Sequence, residues 1–282
     1  MVDVADRSPG LAGNYVRALL PARAGRPELP RTVLGADAVR VDPGRFAAHA
    51  RLCGFPLRDE IPLSFVHLLA FPLQVQLLVR ERFPFRVLGL VHLRQEFEQT
   101  RPLRAEEPLD LRVRATALRA HAKGTVVDLV ATAAPHGSEV VWTGRSSYLA
   151  RGRRFPGREA PELEPLPVPD GPGQRWTVPA GTGRAFAAVS GDVNPIHLSA
   201  ATAKLFGFPR ALAHGMWTAS RSLAALGAAP AGPSRFRVEF RKPLLLPATV
   251  EHVVAAAPDG NGWSTAVRSR DGSRLHLVGR AD

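Results

Sequence analysis

Ala211–Leu226 (ALAHGMWTASRSLAAL) is an apolar, helix-like segment followed by four short runs with strand character: Ser234–Arg241, Ala248–Ala257, Gly262–Arg270 and Arg274–Gly279. Period-2 alternation is visible in Arg235-Phe236-Arg237-Val238-Glu239-Phe240. Asp259-Gly260-Asn261-Gly262 and Asp271-Gly272 are turn signals between the later runs. One helix followed by consecutive strands predicts an antiparallel sheet wrapped around that helix, an α+β plan rather than a parallel βαβ sheet. No glycine-rich phosphate loop follows a strand, which argues against a nucleotide-binding fold.

The first half repeats this order. Ile61–Arg80 (IPLSFVHLLAFPLQVQLLVR) is its apolar segment, and strands are expected at Val87–Gln99, Leu109–Ala120, Thr125–Ala134 and Glu139–Ala150. Pro72 should kink or shorten the helix. His67 stands where His214 stands in the other half, and Phe97 with Arg101-Pro102-Leu103 echoes Phe240 with Lys242-Pro243-Leu244. These matches suggest a weak internal repeat. Between the halves, Arg151–Gly173 is rich in Pro, Gly and charge without either period, and reads as a linker whose arginines (151, 153, 154, 158) are solvated. The expected division is an N-terminal extension (1–30), a first unit (31–150), a linker (151–173) and a second unit (174–282).

Composition bounds the partners. The chain has 282 residues, 45% of them hydrophobic and 22% charged, which is globular usage and allows one large or two small domains. No apolar run reaches the roughly 18–20 residues that span a bilayer. Met1–Gly10 carries Asp3, Asp6 and Arg7 and is followed by no apolar signal core, so a cytoplasmic protein is expected. Cys53 is the single cysteine, which excludes an internal disulfide and multi-thiolate zinc sites. The net charge of +12 attracts acidic partners such as the phosphates of coenzyme A or an acidic carrier protein. Only 7% of residues are aromatic and none interleave with a basic stripe, so nucleic-acid binding is not expected.

The chemistry-bearing stretch is Val189-Ser190-Gly191-Asp192-Val193-Asn194-Pro195-Ile196-His197. It lies between two short helical patterns, Arg184–Val189 and Ser199–Phe206, the second with Ser199 as N-cap. Gly191 to Pro195 is turn chemistry, which presents Asp192 and His197 from one short segment. Such a turn by itself suits a structural role as well as an acid/base pair.

The string from Ser190 to His197 resembles the signature of the MaoC-like, type 2 (R-specific) enoyl-CoA hydratases and dehydratases. The resemblance continues through Ala203, Phe206-Gly207-Phe208 and Ala213-His214-Gly215-Met216. It is specific over Ala185–Leu226 and topological over the first half. It implies a double hotdog fold, with two antiparallel sheets each wrapping a long central helix and pairing side by side. It also implies syn addition of water to a trans-2-enoyl thioester, giving an (R)-3-hydroxyacyl thioester, without metal or redox cofactor. The family's catalytic pair falls on Asp192 and His197, its supporting Asn on Asn194, and its oxyanion donor on the backbone N–H of Gly215. The first half has no such motif: Arg45–Pro62 contains His49, Asp59 and Glu60 at other spacings, and this half is expected to be non-catalytic.

Ser190, His214, Arg241 and Lys242 are the candidate substrate-binding residues, Lys242 the one favoured for a phosphate. Arg235, Arg237 and Glu239 share a strand face by period 2, suiting a solvated face or a phosphate site. His67 and His92 are expected to be structural or surface histidines. Three other readings carry their own tests: a metal enzyme using Asp192, His197 and His214; a non-catalytic acyl-binding subunit; and a hotdog thioesterase. With both units on one chain, a monomer or a homodimer is expected.

Overall fold

The computed structural model describes residues 2–4, 29–80, 83–87, 89–152, 154–155, 165–227 and 234–282. Most of the expected N-terminal extension lies outside the described residues, as do Arg153 and Arg158 of the linker. The first half runs β1 (Val2–Val4), β2 (Val33–Val39), α1 (Pro43–Cys53), β3 (Glu60–Ile61), α2 (Leu63–Leu78), β4 (Leu90–Gln99), β5 (Leu103–Arg104), β6 (Leu109–His121), β7 (Gly124–Pro135) and β8 (Trp142–Arg151). The second runs β9 (Gln174–Val178), α3 (Thr182–Ser190), a 3-10 turn (Pro195–His197), α4 (Ala200–Lys204), α5 (Gly215–Ala225), β10 (Ser234–Phe240), β11 (Ala248–Ala256), β12 (Trp263–Ser269) and β13 (Leu275–Ala281).

The two expected sheets join edge to edge. The strand order is β1-β2-β6-β7-β8-β4-β10-β13-β12-β11-β9, and every pair but β1–β2 is antiparallel. The seam is β4 against β10, with Gln95 opposite Val238 and Phe97 opposite Phe236. Backbone ladder bonds therefore run without a break from one half into the other.

Each helix sits where its half of the sheet can cover it. Helix α2 has no polar face: 13 of its 16 residues are buried. Such a helix must be surrounded, and it packs on β6 and β7 on one side and on α3 and α5 on the other. It continues past Pro72 to Leu78, so the proline does not shorten it. Helix α5 packs on β12 and β13. No helix among the described residues is long and apolar enough to cross a membrane.

The helix starts correct two expectations. Helix α5 begins at Gly215, not at Ala211, because the residues before it are used in extended pairing. Leu212 bridges Leu245, the Ala213 N–H donates to the Leu244 carbonyl, and the Leu246 N–H donates to the Ala211 carbonyl. The first half has the same device, β3 paired with β5 through Ile61 and Leu103, just before α2. The residue that caps α5 is His214, and its counterpart at the start of α2 is Pro62, not His67, which lies inside the helix.

Candidate active site

The Asp192 turn is built from local bonds. Helix α3 ends on Gly191 in the left-handed region, at φ 77°, and the Gly191 N–H donates to the Ala187 carbonyl at 2.8 Å. The Ser190 hydroxyl accepts the Asp192 N–H at 3.1 Å, and Asp192 Oδ1 accepts the Asn194 N–H at 3.2 Å. Asn194 Oδ1 then caps the 3-10 turn by accepting the Ile196 N–H. Each side chain bonds the backbone two residues on, which is why Ser, Asp and Asn stand at this spacing.

His197 is fixed by a longer-range contact. Its Nδ1 donates to the Leu212 carbonyl at 2.9 Å. A carbonyl accepts only, so Nδ1 carries a proton, and in the neutral ring Nε2 then keeps its lone pair. His214 Nε2 likewise donates to the Asp192 carbonyl at 2.9 Å and stands 3.7 Å from Asp192 Oδ2. The two imidazoles stack with centroids 3.7 Å apart. Burial pushes the His214 pKa down to about 3, helped by His197 and opposed by Asp192. Burial also lowers His197, again opposed by Asp192. Both rings are neutral at neutral pH. The Asp192 side chain is 27% exposed and that of His214 is 2% exposed, so Asp192 is reachable by a ligand and His214 stands behind it.

Gly215 opens α5, where the first N–H groups have no acceptor within the helix. A Cβ on Gly215 would lie 2.9 Å from the ring of Phe240. Glycine therefore lets the helix start approach that ring, leaving its N–H and the positive end of the helix dipole beside the Asp192 turn.

The remaining expected residues fall as follows. Ser190 is buried, with its hydroxyl in the turn. Arg241 and Lys242 are exposed just past Phe240, and Arg241 pairs with Glu239. Arg235 and Arg237 are paired with Glu98 at 2.7 Å and Asp282 at 3.4 Å. Arg154 donates to the Ala122 carbonyl at 3.2 Å.

Sequence reading missed what the first half brings. His67 is buried inside α2, the structural of the two expected placements. Its pKa is pushed down to about 4 by burial, and the charge of Asp192 opposes the shift. His92 falls to about 3 by burial, and Asp192 again opposes. His92 stacks on Tyr148 (4.5 Å) and lies 4.7 Å from Phe240, the ring that backs Gly215. Thus α2, β4 and β8 bring His67, His92 and Tyr148 close enough to feel the charge of Asp192. No local signal marks these residues, because the β4–β10 seam delivers them.

Asp192, His197 and His214 offer ligand atoms within 4.8 Å of one another. Two of the ring nitrogens, His197 Nδ1 and His214 Nε2, are already bonded to carbonyls. The set therefore reads first as a hydrogen-bonded acid/base cluster. Turnover is expected to survive dialysis against a strong chelator, and loss that returns with added zinc would show otherwise.

Comparison with known proteins bears on this geometry. A family model described as the MaoC like domain matches residues 172–268. The chain is 35% identical over 269 residues to the 3-hydroxyacyl-thioester dehydratase X of Mycobacterium tuberculosis, covering 94% of this chain and 95% of that protein. The chain belongs to the MaoC-like dehydratase family. It is accordingly a hydro-lyase. The crystal structure of HtdX from Mycobacterium tuberculosis superposes with a TM-score of 0.76 at 33% identity, over 88% of this chain and 98% of that one. The peroxisomal enoyl-CoA hydratase 2 of Arabidopsis thaliana is 28% identical over 211 residues, 68% of this chain and 65% of that protein. A further Mycobacterium tuberculosis protein, described as having a double hotdog fold, matches with a TM-score of 0.53 at 16% identity over 88% of this chain and 92% of that one. The fold of this MaoC-like chain is α+β, a double hotdog.

Proposed function

We propose that the chain catalyses reversible hydration of trans-2-enoyl thioesters to (R)-3-hydroxyacyl thioesters, with Asp192 and His197 as the acid/base pair. The supporting observation is that Asp192, His197 and His214 bring their polar atoms within 4.8 Å of one another immediately before the start of α5 at Gly215. In the hydration direction the pair holds a water and takes one of its protons as the oxygen adds to C3. Charge gathers on the thioester oxygen, where the Gly215 N–H and the helix dipole stabilise it. A proton from the pair then reaches C2, so one water is consumed and nothing else is gained or lost. Asn194 holds the turn that carries Asp192, and His214 holds the Asp192 carbonyl.

In this reading the second half (174–282) carries the acid/base groups and the first half (31–150) supplies the opposite wall. Ser190 and His214 serve substrate binding indirectly, by shaping the turn. Arg241 and Lys242, exposed past Phe240, take the phosphates of coenzyme A or the acidic face of an acyl carrier protein. The unbroken sheet suits a monomer, a homodimer being the other arrangement, and the lone buried Cys53 fits the cytoplasm.

The test follows loss of enoyl absorbance with trans-2-enoyl-CoA and enoyl-carrier-protein substrates of several chain lengths, with chiral analysis of the product. Asp192→Asn and His197→Ala are each expected to lower kcat by roughly 10²–10³-fold, the contribution of a positioned acid or base. The acid limb of kcat/KM assigned to His197 should lie below the ordinary value of 6.5, because burial favours its neutral form. Release of free thiol instead of hydroxyacyl product would make the protein a thioesterase. A folded protein inactive on both carriers would leave an acyl-binding subunit.

A further inference from the structure

Arg45 belongs to α1, in the half without the motif, yet its guanidinium reaches the reactive turn. Nε donates to the Val189 carbonyl at 2.6 Å, and Nη2 donates to the Leu68 carbonyl at 3.0 Å and lies 3.5 Å from the Ser190 carbonyl. All three acceptors lack a helical partner for identifiable reasons. Val189 and Ser190 are the last residues of α3, whose terminal carbonyls have no N–H within the helix. Leu68 lies four residues before Pro72, which has no N–H to return. The arginine thus fills the vacancy that Pro72 makes in α2 and caps the C-terminus of α3, where the dipole favours a cation. Its own helix is held by Asp42, whose Oδ1 accepts the Arg45 N–H at 2.6 Å. Three helices from both halves are tied together one residue before Gly191-Asp192.

We propose that Arg45 is a positioning residue for the reaction, its guanidinium fixing the end of α3 so that the Asp192 turn is held against the wall supplied by the first half. The inference rests on the hydratase reading above. The rigid fork donates from two separate nitrogens to acceptors on two helices, a spacing that the single ammonium nitrogen of Lys does not reproduce, so Lys is a poor substitute. Its bonds end on the backbone just before Gly191-Asp192, so its expected effect is on the geometry of Asp192 and not on substrate affinity.

Wild type, Arg45→Ala, Arg45→Lys, Pro72→Ala and the double variant Pro72→Ala/Arg45→Ala are compared by steady-state kinetics and thermal melting. Pro72→Ala returns an N–H to the Leu68 carbonyl, which relieves the structural demand on Arg45 without serving Val189 or Ser190. The expected result is a fall in kcat for Arg45→Ala of roughly 100-fold, the cost of an ångström-scale misplacement, with KM changed less than about threefold. Tens of millimolar guanidinium should restore part of that kcat. The double variant should regain melting temperature but not kcat. If kcat returns together with the melting temperature in the double variant, or if folded Arg45→Ala keeps kcat near wild type, Arg45 has only a structural role and the inference is overturned. A wild type without turnover on any enoyl thioester would instead overturn the functional reading, and this one with it.

Discussion

Acidification from pH 7 to pH 5.5 is expected to lower the melting temperature by roughly 10 °C or more, well before the carboxylates titrate. Four histidines are almost wholly buried with depressed pKa values: His49 at about 4, His67 at about 4, His214 at about 3 and His252 at about 4. Burial is the largest cause in each. The His49 ring lies between Phe55 (5.6 Å) and Phe65 (5.1 Å) with both nitrogens unpartnered, so a charge there would have no compensation. Unfolding restores the ordinary value of 6.5, so between 6.5 and 4 the unfolded chain binds more protons than the folded one. The stability these groups confer is full above 6.5 and is lost as pH falls toward 4. Each contributes a slope of about 1.4 kcal/mol per pH unit, so four together remove on the order of 5 kcal/mol by pH 5.5, a large share of a typical domain stability. Melting curves followed by circular dichroism between pH 8 and 5 check this, and a flat profile would contradict it. His49→Phe should reduce the proton uptake by one and flatten the slope accordingly.

The same histidines show where sequence reading stopped. The Asp192 turn was legible because its bonds are local: Ser190, Asp192 and Asn194 each serve an N–H two residues on. The two central helices were legible as long apolar runs, and the repeat of helix then strands indicated the doubled plan. Helix α5 starts four residues later than its apolar run predicts, because Ala211–Ala213 pair with a segment some thirty residues away, which no local pattern carries. Helix α1 carries a local signature in Asp42 as N-cap, Pro43 in the first turn and Gly54 in the left-handed region at the end. Strands β1, β2, β3, β5 and β9 fall outside the strand ranges that the sequence predicts. His67, His92, Tyr148 and Arg45 reach the site only through the seam and the crossing of α1, α2 and α3. Their placement is a property of tertiary register, to which a motif of one half is blind.

Gly183→Ala is expected to lose about 3 kcal/mol of stability or more and roughly 10²-fold in kcat, although the substitution adds a single methyl. Gly183 is buried in the first turn of α3. A Cβ there would drive into the His197 carbonyl oxygen, and would stand 3.1 Å from the His197 carbonyl carbon and 3.3 Å from the Leu212 oxygen. These are backbone atoms, so no side chain can swing aside. Two opposing effects must be weighed. Alanine is the better helix former by about 1 kcal/mol. Overpacking against a fixed backbone typically costs 1–3 kcal/mol and here requires a whole segment to shift, so the clash wins. The segment that shifts is the one holding His197, and Leu212 is the carbonyl that fixes its ring. Stability and turnover should therefore fall together, which denaturant titration and enoyl hydration would each report. Gly215→Ala provides the contrast: the three atoms nearest its Cβ belong to the side-chain ring of Phe240, not to backbone, so activity should fall with a smaller loss of stability. A Gly183→Ala protein as stable and active as wild type would mean that α3 does not pack on the His197 turn at this distance.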